Sequence, residues 1–66
     1  MKIGKKIRQL RNERRLTQTD LAKILHVSQD TISLWELDKS LPDVKAVVEI
    51  CKLFDVSSDY LLGLEK

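Results

Sequence analysis

The sequence has few of the residues that crosslink or interrupt small folds. Its 66 residues include one cysteine, one proline, two glycines and one each of Trp, Tyr and Phe. A single cysteine excludes an intrachain disulfide and a cysteine-based metal cluster. There is no run of about 18 apolar residues, so no membrane span is expected. We therefore expect a small domain held together by helix packing, to which its many Leu, Ile and Val residues are suited.

Groups that carry catalysis or bind metals are equally scarce. The only histidine is His26, the only cysteine is Cys51, and no glycine-rich phosphate loop is present. We interpret His26 as a turn residue rather than a metal ligand, and Cys51 as a core residue rather than a redox sensor. The sequence therefore predicts no enzyme activity, no metal or other cofactor, and no evident small-molecule ligand.

The N-terminal segment is basic, but no apolar segment follows it, so it is not expected to be a signal peptide. A lone thiol fits a reducing cytosol better than an export route. We expect one domain over residues 1–66, located in the cytoplasm, with no second domain for an inducer.

The charge is distributed unevenly along the chain. The net charge is only +2, but residues 1–15 hold seven basic side chains and one acidic one, a local charge of +6. Residues 40–66 hold three basic and five acidic side chains, a local charge of −2. Such a division fits one basic face that meets a polyanion, or alternatively an ordinary solvated helix face.

Apolar spacing and helix-capping residues predict five short helices and no strand. Helix 1 covers about 3–13, helix 2 follows the N-cap Thr17, and helix 3 follows the N-cap Ser28. Asp20 completes a weak version of a capping box with Thr17. After the break at Leu41-Pro42, helix 4 covers about 43–54 with a core stripe, and a short helix 5 runs from Ser57 to Gly63. The helix 4 stripe consists of Val47, Ile50, Cys51 and Phe54.

Residues 18–37 carry the strongest pattern, which predicts two short helices joined by a tight turn. Ala22, His26, Ile32 and Trp35 stand where a helix-turn-helix requires a small residue, a turn residue and two core residues. Helix 2 also carries the apolar Leu21, Ile24 and Leu25. Three segments, IRQLRNERRLTQTDLA, VSQDTISLWE and SLPDVKAVVEICKLFDVSSDYLLG, together resemble the Cro/C1-type (XRE-like) helix-turn-helix family of phage and bacterial repressors. The resemblance implies an all-α fold, a compact five-helix bundle of the lambda-repressor-like type, encoded by a bacterium or phage and associated with the nucleoid.

Helix 3 is rich in side chains that can read base edges, namely Gln29, Asp30, Thr31 and Ser33. The same residues would also suit an exposed helix of no special function. The resemblance implies that Gln29, Asp30 and Leu34 contact bases in the major groove, and helical rotation places Ser33 toward the edge of that groove as a further expected base contact. Gln29 would pair with adenine, Asp30 would accept from a cytosine amine, and Leu34 would meet a thymine methyl group.

The expected phosphate contacts surround this face. Gln18 opens helix 2, where free backbone N–H groups and the helix dipole favour an anion. The resemblance also implies that Gln18 braces Gln29. Further phosphate candidates are Ser28, Thr31, Lys39, Lys5 and Lys6.

Other residues have expected structural roles. The resemblance implies a buried ion pair between Arg11 and Glu36, and the spacing of Trp35 favours core packing over base stacking. Arg15, His26 and Asp38 stand where the family often has glycine, so we expect left-handed backbone there. Asp38 also places a negative charge near the expected phosphate contact at Lys39.

These observations predict a sequence-specific double-stranded DNA-binding regulator, a repressor acting as a homodimer on a near-palindromic operator. Two copies of helix 3 would enter adjacent major grooves about 34 Å apart. Leu62 and Leu64 are expected at the dimer interface, whereas Leu61 is expected to close the monomer core. The alternative is a protein-interaction module or an antitoxin component whose main partner is another protein.

Overall fold

A computed structural model describes residues 3–64 of the chain. Within this range the chain forms five α-helices and no strand, as predicted. The helices are α1 (Gly4–Glu13), α2 (Gln18–Leu25), α3 (Gln29–Glu36), α4 (Val44–Phe54) and α5 (Ser58–Leu61). The predicted N-caps Thr17 and Ser28 stand one residue before α2 and α3, and the predicted first residues of helices 4 and 5, Asp43 and Ser57, are N-caps as well.

Side-chain oxygens cap the N-termini of α2, α3, α4 and α5, where the first backbone N–H groups have no helical partner. At α2 the capping box is complete. Asp20 N donates to Thr17 Oγ1 at 3.0 Å, and Thr17 N donates to Asp20 Oδ2 at 2.9 Å. This hydrogen bond from the Thr17 backbone holds the pKa of the Asp20 carboxyl below its ordinary value. The start of α2, and with it the position of Gln18, is therefore fixed by local chemistry.

Several turns between the helices use left-handed backbone. Arg15, His26 and Asp38 have φ values of 56°, 59° and 57°, which confirms the prediction for all three. Asp55, which ends α4, has a φ of 55° and was not predicted. Histidine and aspartate tolerate this region better than most residues, whereas Arg15 does so at some cost in strain.

The core forms where all the longer helices meet. Its buried side chains come from every helix and from the residue before α1: Ile3, Ile7, Leu10, Leu21, Ala22, Leu25, Ile32, Trp35, Ile50, Phe54 and Leu61. Val47 and Cys51 of the predicted helix 4 stripe are partly buried and pack against this cluster. Ile24 does not share the buried side of α2, since 45% of it is exposed.

Gly4 lets the N-terminus of α1 approach the C-terminus of α3. A Cβ atom at this position would lie about 2.5 Å from Glu36 O and would also overlap Trp35 O. The positive end of one helix dipole thereby meets the negative end of another. The absence of a side chain at residue 4 therefore sets how closely α1 and α3 pack.

We expect Gly4→Ala to destabilise the fold by about 1–3 kcal/mol, because the overlapping atoms are backbone carbonyl oxygens that cannot move aside. Urea unfolding monitored by the fluorescence of Trp35 would measure this loss. Lys5→Ala, at the neighbouring exposed position, is the control and should stay within about 0.5 kcal/mol of the parent. Equal stability of the two variants would contradict this account of the helix contact.

Candidate nucleic-acid interface

The second and third helices are joined by a connection of only three residues, 26–28. His26 turns the chain with left-handed backbone, and Ser28 starts α3 by accepting a hydrogen bond from Thr31 N at 3.2 Å. Ile32 and Trp35 point into the core. Because these two side chains anchor one side of α3, its opposite side is left exposed.

We call this exposed side of α3 the recognition face. Gln29 and Asp30 are exposed, Leu34 is 42% exposed, and Ser33 is half-buried one turn after Gln29. The helical spacing adds Leu37, which lies one turn after Ser33 and is 59% exposed. Leu37 was not among the predicted contacts, although its spacing of four residues from Ser33 is a usable signal.

The expected phosphate residues have different surroundings. Lys5 and Lys39 are exposed. The hydroxyls of Ser28 and Thr31 lie 2.8 Å apart and bond to each other, within the cap of α3. Lys6 is half-buried, and its ammonium lies 4.2 Å from the centroid of the Tyr60 ring. A cation over an aromatic face is attracted by the ring, so Lys6 already has a partner on α5.

The basic charge of the N-terminal segment is also partly engaged within the fold. Besides Lys6, Arg14 donates to Phe54 O at 3.4 Å and lies over the Phe54 ring. Arg11 is held in an ion pair with Glu36. Lys5 and Arg8 are exposed on α1, and Lys2 lies outside the described residues. The free positive charge is therefore smaller than the sequence count indicates.

A chain of hydrogen bonds runs from α1 to the recognition face, and we call it the relay. Arg11 binds Glu36 through both carboxylate oxygens, with Nε to Oε2 at 2.7 Å and Nη2 to Oε1 at 3.1 Å. Glu36 Oε1 also accepts from Gln18 Nε2 at 3.1 Å. Gln18 Oε1 in turn accepts from Gln29 Nε2 at 2.5 Å. The relay thus connects a partly buried ion pair to the first residue of α3.

The ion pair is well shielded from water. The side chains of Arg11 and Glu36 are 12% and 4% exposed, and Arg11 Nη1 also donates to Leu16 O at 2.8 Å. The hydrogen bond to Glu36 raises the pKa of Arg11. Among residues 3–64 no buried side-chain nitrogen or oxygen lacks a hydrogen-bond partner. A bidentate, fully satisfied pair of this kind fixes the relative position of α1 and the end of α3.

Asp38 has a structural role that was not predicted. Its Oδ1 accepts from Gly4 N at 2.9 Å, across 34 residues of chain. Ile3, the N-cap of α1, makes no side-chain cap. The carboxylate that was expected to place a negative charge near Lys39 thus caps α1.

Comparison with known proteins agrees with this architecture. A family model described as helix-turn-helix matches residues 7–61. The chain belongs to this helix-turn-helix family. The domain superimposes on the P22 c2 repressor in complex with a synthetic operator with a TM-score of 0.85 and 31% identity, over 92% of each chain. The predicted Cro/C1-type resemblance and the all-α bundle are confirmed.

Curated relatives of this helix-turn-helix domain include proteins with different roles. The transcriptional activator BcrR of Enterococcus faecalis is 41% identical over 66 residues, which are all of this chain and 32% of BcrR. The antitoxin PezA of Streptococcus pneumoniae is 34% identical over 64 residues, 97% of this chain and 40% of PezA. The chain therefore spans between about a third and two fifths of the length of these relatives.

The C-terminal leucines of the helix-turn-helix domain divide between core and surface. Leu61 is buried, Leu62 is partly buried against the core, and Leu64 is 62% exposed. A second group of exposed apolar residues lies before and on α4, formed by Leu41, Val44 and Val48. Leu64 and the residues of this second group therefore expose apolar surface to solvent.

The lone cysteine and the lone histidine have the structural surroundings of a core residue and of a turn residue. Cys51 is partly buried, and burial raises the pKa of its thiol. His26 is exposed in the left-handed turn. The described part of the chain contains no group of three or more His, Cys, Asp or Glu residues able to hold a metal ion. No helix within residues 3–64 is long and apolar enough to cross a membrane.

We expect Asp38→Ala to destabilise the domain by about 1–3 kcal/mol, through loss of the cap on α1 and through strain in the left-handed backbone. Asp38→Asn is the matched control, because asparagine keeps an acceptor oxygen for Gly4 N and tolerates positive φ. Thermal unfolding at neutral pH would compare the two. If Asp38→Asn proved as unstable as Asp38→Ala, the cap would not be the source of the effect.

Proposed function

We propose that this helix-turn-helix domain binds double-stranded DNA in a sequence-specific manner and regulates transcription, with α3 lying in the major groove. The observation that carries the proposal is the exposed Gln29 at the start of α3, whose amide is oriented by Gln18. A side chain with no binding role would gain little from a second glutamine that holds it in place. The likeness to an operator-bound repressor supports the same conclusion.

The recognition face offers each kind of contact that the major groove requires. Gln29 keeps its Oε1 and one N–H for adenine, and Asp30 can accept from a cytosine amine. Ser33 serves as donor or acceptor to either base of a pair. Leu34 and Leu37 supply apolar contacts to thymine methyl groups.

Phosphate contacts would fix the register of the helix on the duplex. We assign this role to Gln18, Ser28, Thr31, Lys39 and Lys5. Lys6 contributes positive charge near the duplex, while its ammonium stays on Tyr60. A phosphate at Gln18 would also meet the free N–H groups at the start of α2.

A single domain of this size contacts few base pairs, so specific binding at physiological salt requires a second copy. We propose a homodimer, with Leu62 and Leu64 at its interface and two copies of α3 about 34 Å apart on a near-palindromic operator. The whole described unit would act as one domain in the bacterial cytoplasm. Its regulatory effect would be repression by occlusion of a promoter, without chemical catalysis.

A second candidate function is that of an antitoxin component or protein-interaction module. It is favoured by the relative PezA and by the exposed apolar group of Leu41, Val44 and Val48. Salt separates the two functions, since phosphate-driven binding weakens steeply as salt rises whereas apolar docking does not.

Selection of bound duplexes from random DNA is the experiment that tests the proposal. We expect a motif made of two related half-sites. With that motif, Gln29→Ala should cost about 1–3 kcal/mol and remove the preference at one base pair in each half-site. Competition binding with single-base variants would measure this. An unchanged preference in Gln29→Ala would contradict the assignment of Gln29 to base readout.

The phosphate role of Lys39 makes a separate prediction. Lys39→Ala should weaken binding to all sequences alike and reduce the slope of log K against log salt by about 1. Lys52→Ala, which removes an exposed charge from α4, is the control for net charge. The same change of slope in both variants would show that Lys39 acts only through overall charge.

A further inference from the structure

The hydrogen bonds of the relay have a fixed direction from donor to acceptor, with each amide donating toward Glu36, and Glu36 sets this direction. We propose that Glu36 determines the order of donor and acceptor that Gln29 presents, and thereby the preference of Gln29 for adenine over guanine. The inference rests on the proposed function, since it concerns which base the recognition face selects. Glu36 would act as a positioning residue, because its carboxylate is occupied by Arg11 and Gln18 inside the domain.

The direction starts at the carboxylate, which can only accept hydrogen bonds. Arg11 supplies two donors to it, at 2.7 and 3.1 Å. The remaining neighbour, Gln18, must therefore turn its Nε2 toward Glu36, as it does at 3.1 Å. The opposite orientation would place the amide oxygen of Gln18 against Glu36 Oε1, and two acceptors in contact without a hydrogen between them repel each other.

The orientation of Gln18 then fixes that of Gln29. With its Nε2 on Glu36, Gln18 presents Oε1 toward α3, and an amide oxygen can only accept. Gln29 must therefore turn its Nε2 toward Gln18, and this atom donates to Gln18 Oε1 at 2.5 Å. The Oε1 atom of Gln29 and its second N–H are left for a base.

The oxygen and the second N–H of Gln29 match the major-groove edge of adenine but not that of guanine. Adenine presents an N6 amino donor and an N7 acceptor in the major groove, so an oxygen and an N–H match it. Guanine presents two acceptors, O6 and N7, so the Gln29 oxygen would face O6 without a donor between them. A glutamine that is free to rotate could turn its NH₂ group to guanine, whereas one that is held by the relay cannot.

Two substitutions release Gln29 from its fixed orientation while leaving residue 29 itself unchanged. Glu36→Gln introduces an amide that can donate toward Gln18. The side-chain amides of Gln18 and Gln29 can then both turn over and exchange the positions of their oxygen and NH₂ group. Gln18→Met removes the link and frees Gln29, while the ion pair of Arg11 and Glu36 is kept. In each variant the ratio of affinities for adenine and guanine at the Gln29 base pair should fall about tenfold, or about 1.4 kcal/mol.

The probes are the duplex obtained by selection and its variant with A·T replaced by G·C at that base pair. The base pair at which Gln29→Ala loses its preference in competition binding is the one that Gln29 contacts. Ile50→Val serves as the control, because it lowers stability in the core without touching the relay. Thermal unfolding of all variants separates loss of fold from loss of preference. If Glu36→Gln does not fold, Gln18→Met still tests the relay, because an unchanged adenine-to-guanine ratio in that variant would overturn the inference.

A wild-type adenine-to-guanine ratio in Gln18→Met or in folded Glu36→Gln would overturn the inference. A reduced ratio in Ile50→Val would also overturn it, because the effect would then follow stability rather than the relay. Failure of the parent protein to prefer any duplex would instead overturn the proposed function. A loss of preference confined to the relay variants is the supporting result.

Discussion

The ion pair between Arg11 and Glu36 is the interaction on which the recognition face depends. It joins residues 25 positions apart, the last turn of α1 and the last residue of α3. Removing two charges from water is costly, and such pairs often add little to stability. Here the pair instead fixes the position of α3 relative to α1. Two bonds in the plane of the guanidinium, together with the bond from Arg11 to Leu16 O, leave α3 little freedom to rotate against the bundle.

The features that could be predicted from the sequence are those that depend on neighbours within one or two turns. Thr17, Ser28, Asp43 and Ser57 are capping residues because a side-chain oxygen reaches the N–H three residues later, a contact decided locally. Apolar spacing likewise locates the buried sides of the helices. The position of Ile24 could not be read in this way, because which edge of an apolar stripe remains exposed depends on the helices packed against it.

The features that could not be predicted join distant residues that are ordinary in their local context. Asp38 caps α1 from the loop after α3, and Lys6 lies over Tyr60, a residue of α5. Neither contact has a local signature. The pairing of Gln18 with Gln29 was expected only through the family resemblance. Its direction could not be expected at all, because that depends on a carboxylate from the far end of α3.

Asp38 shows how a structural requirement and a binding requirement can coexist at one position. A carboxylate next to Lys39 would oppose a phosphate if it stood free in solution. In the fold it accepts from the first N–H of α1, at the positive end of that helix dipole, which carries roughly half an elementary charge. The dipole offsets part of the negative charge before a phosphate arrives. The same bond ties the loop that carries Lys39 to α1, whose other end holds Arg11. The N-terminus of α1 therefore fixes the loop whose Lys39 would bind phosphate. Its C-terminal turn carries Arg11, the start of the relay that would orient Gln29 for base readout.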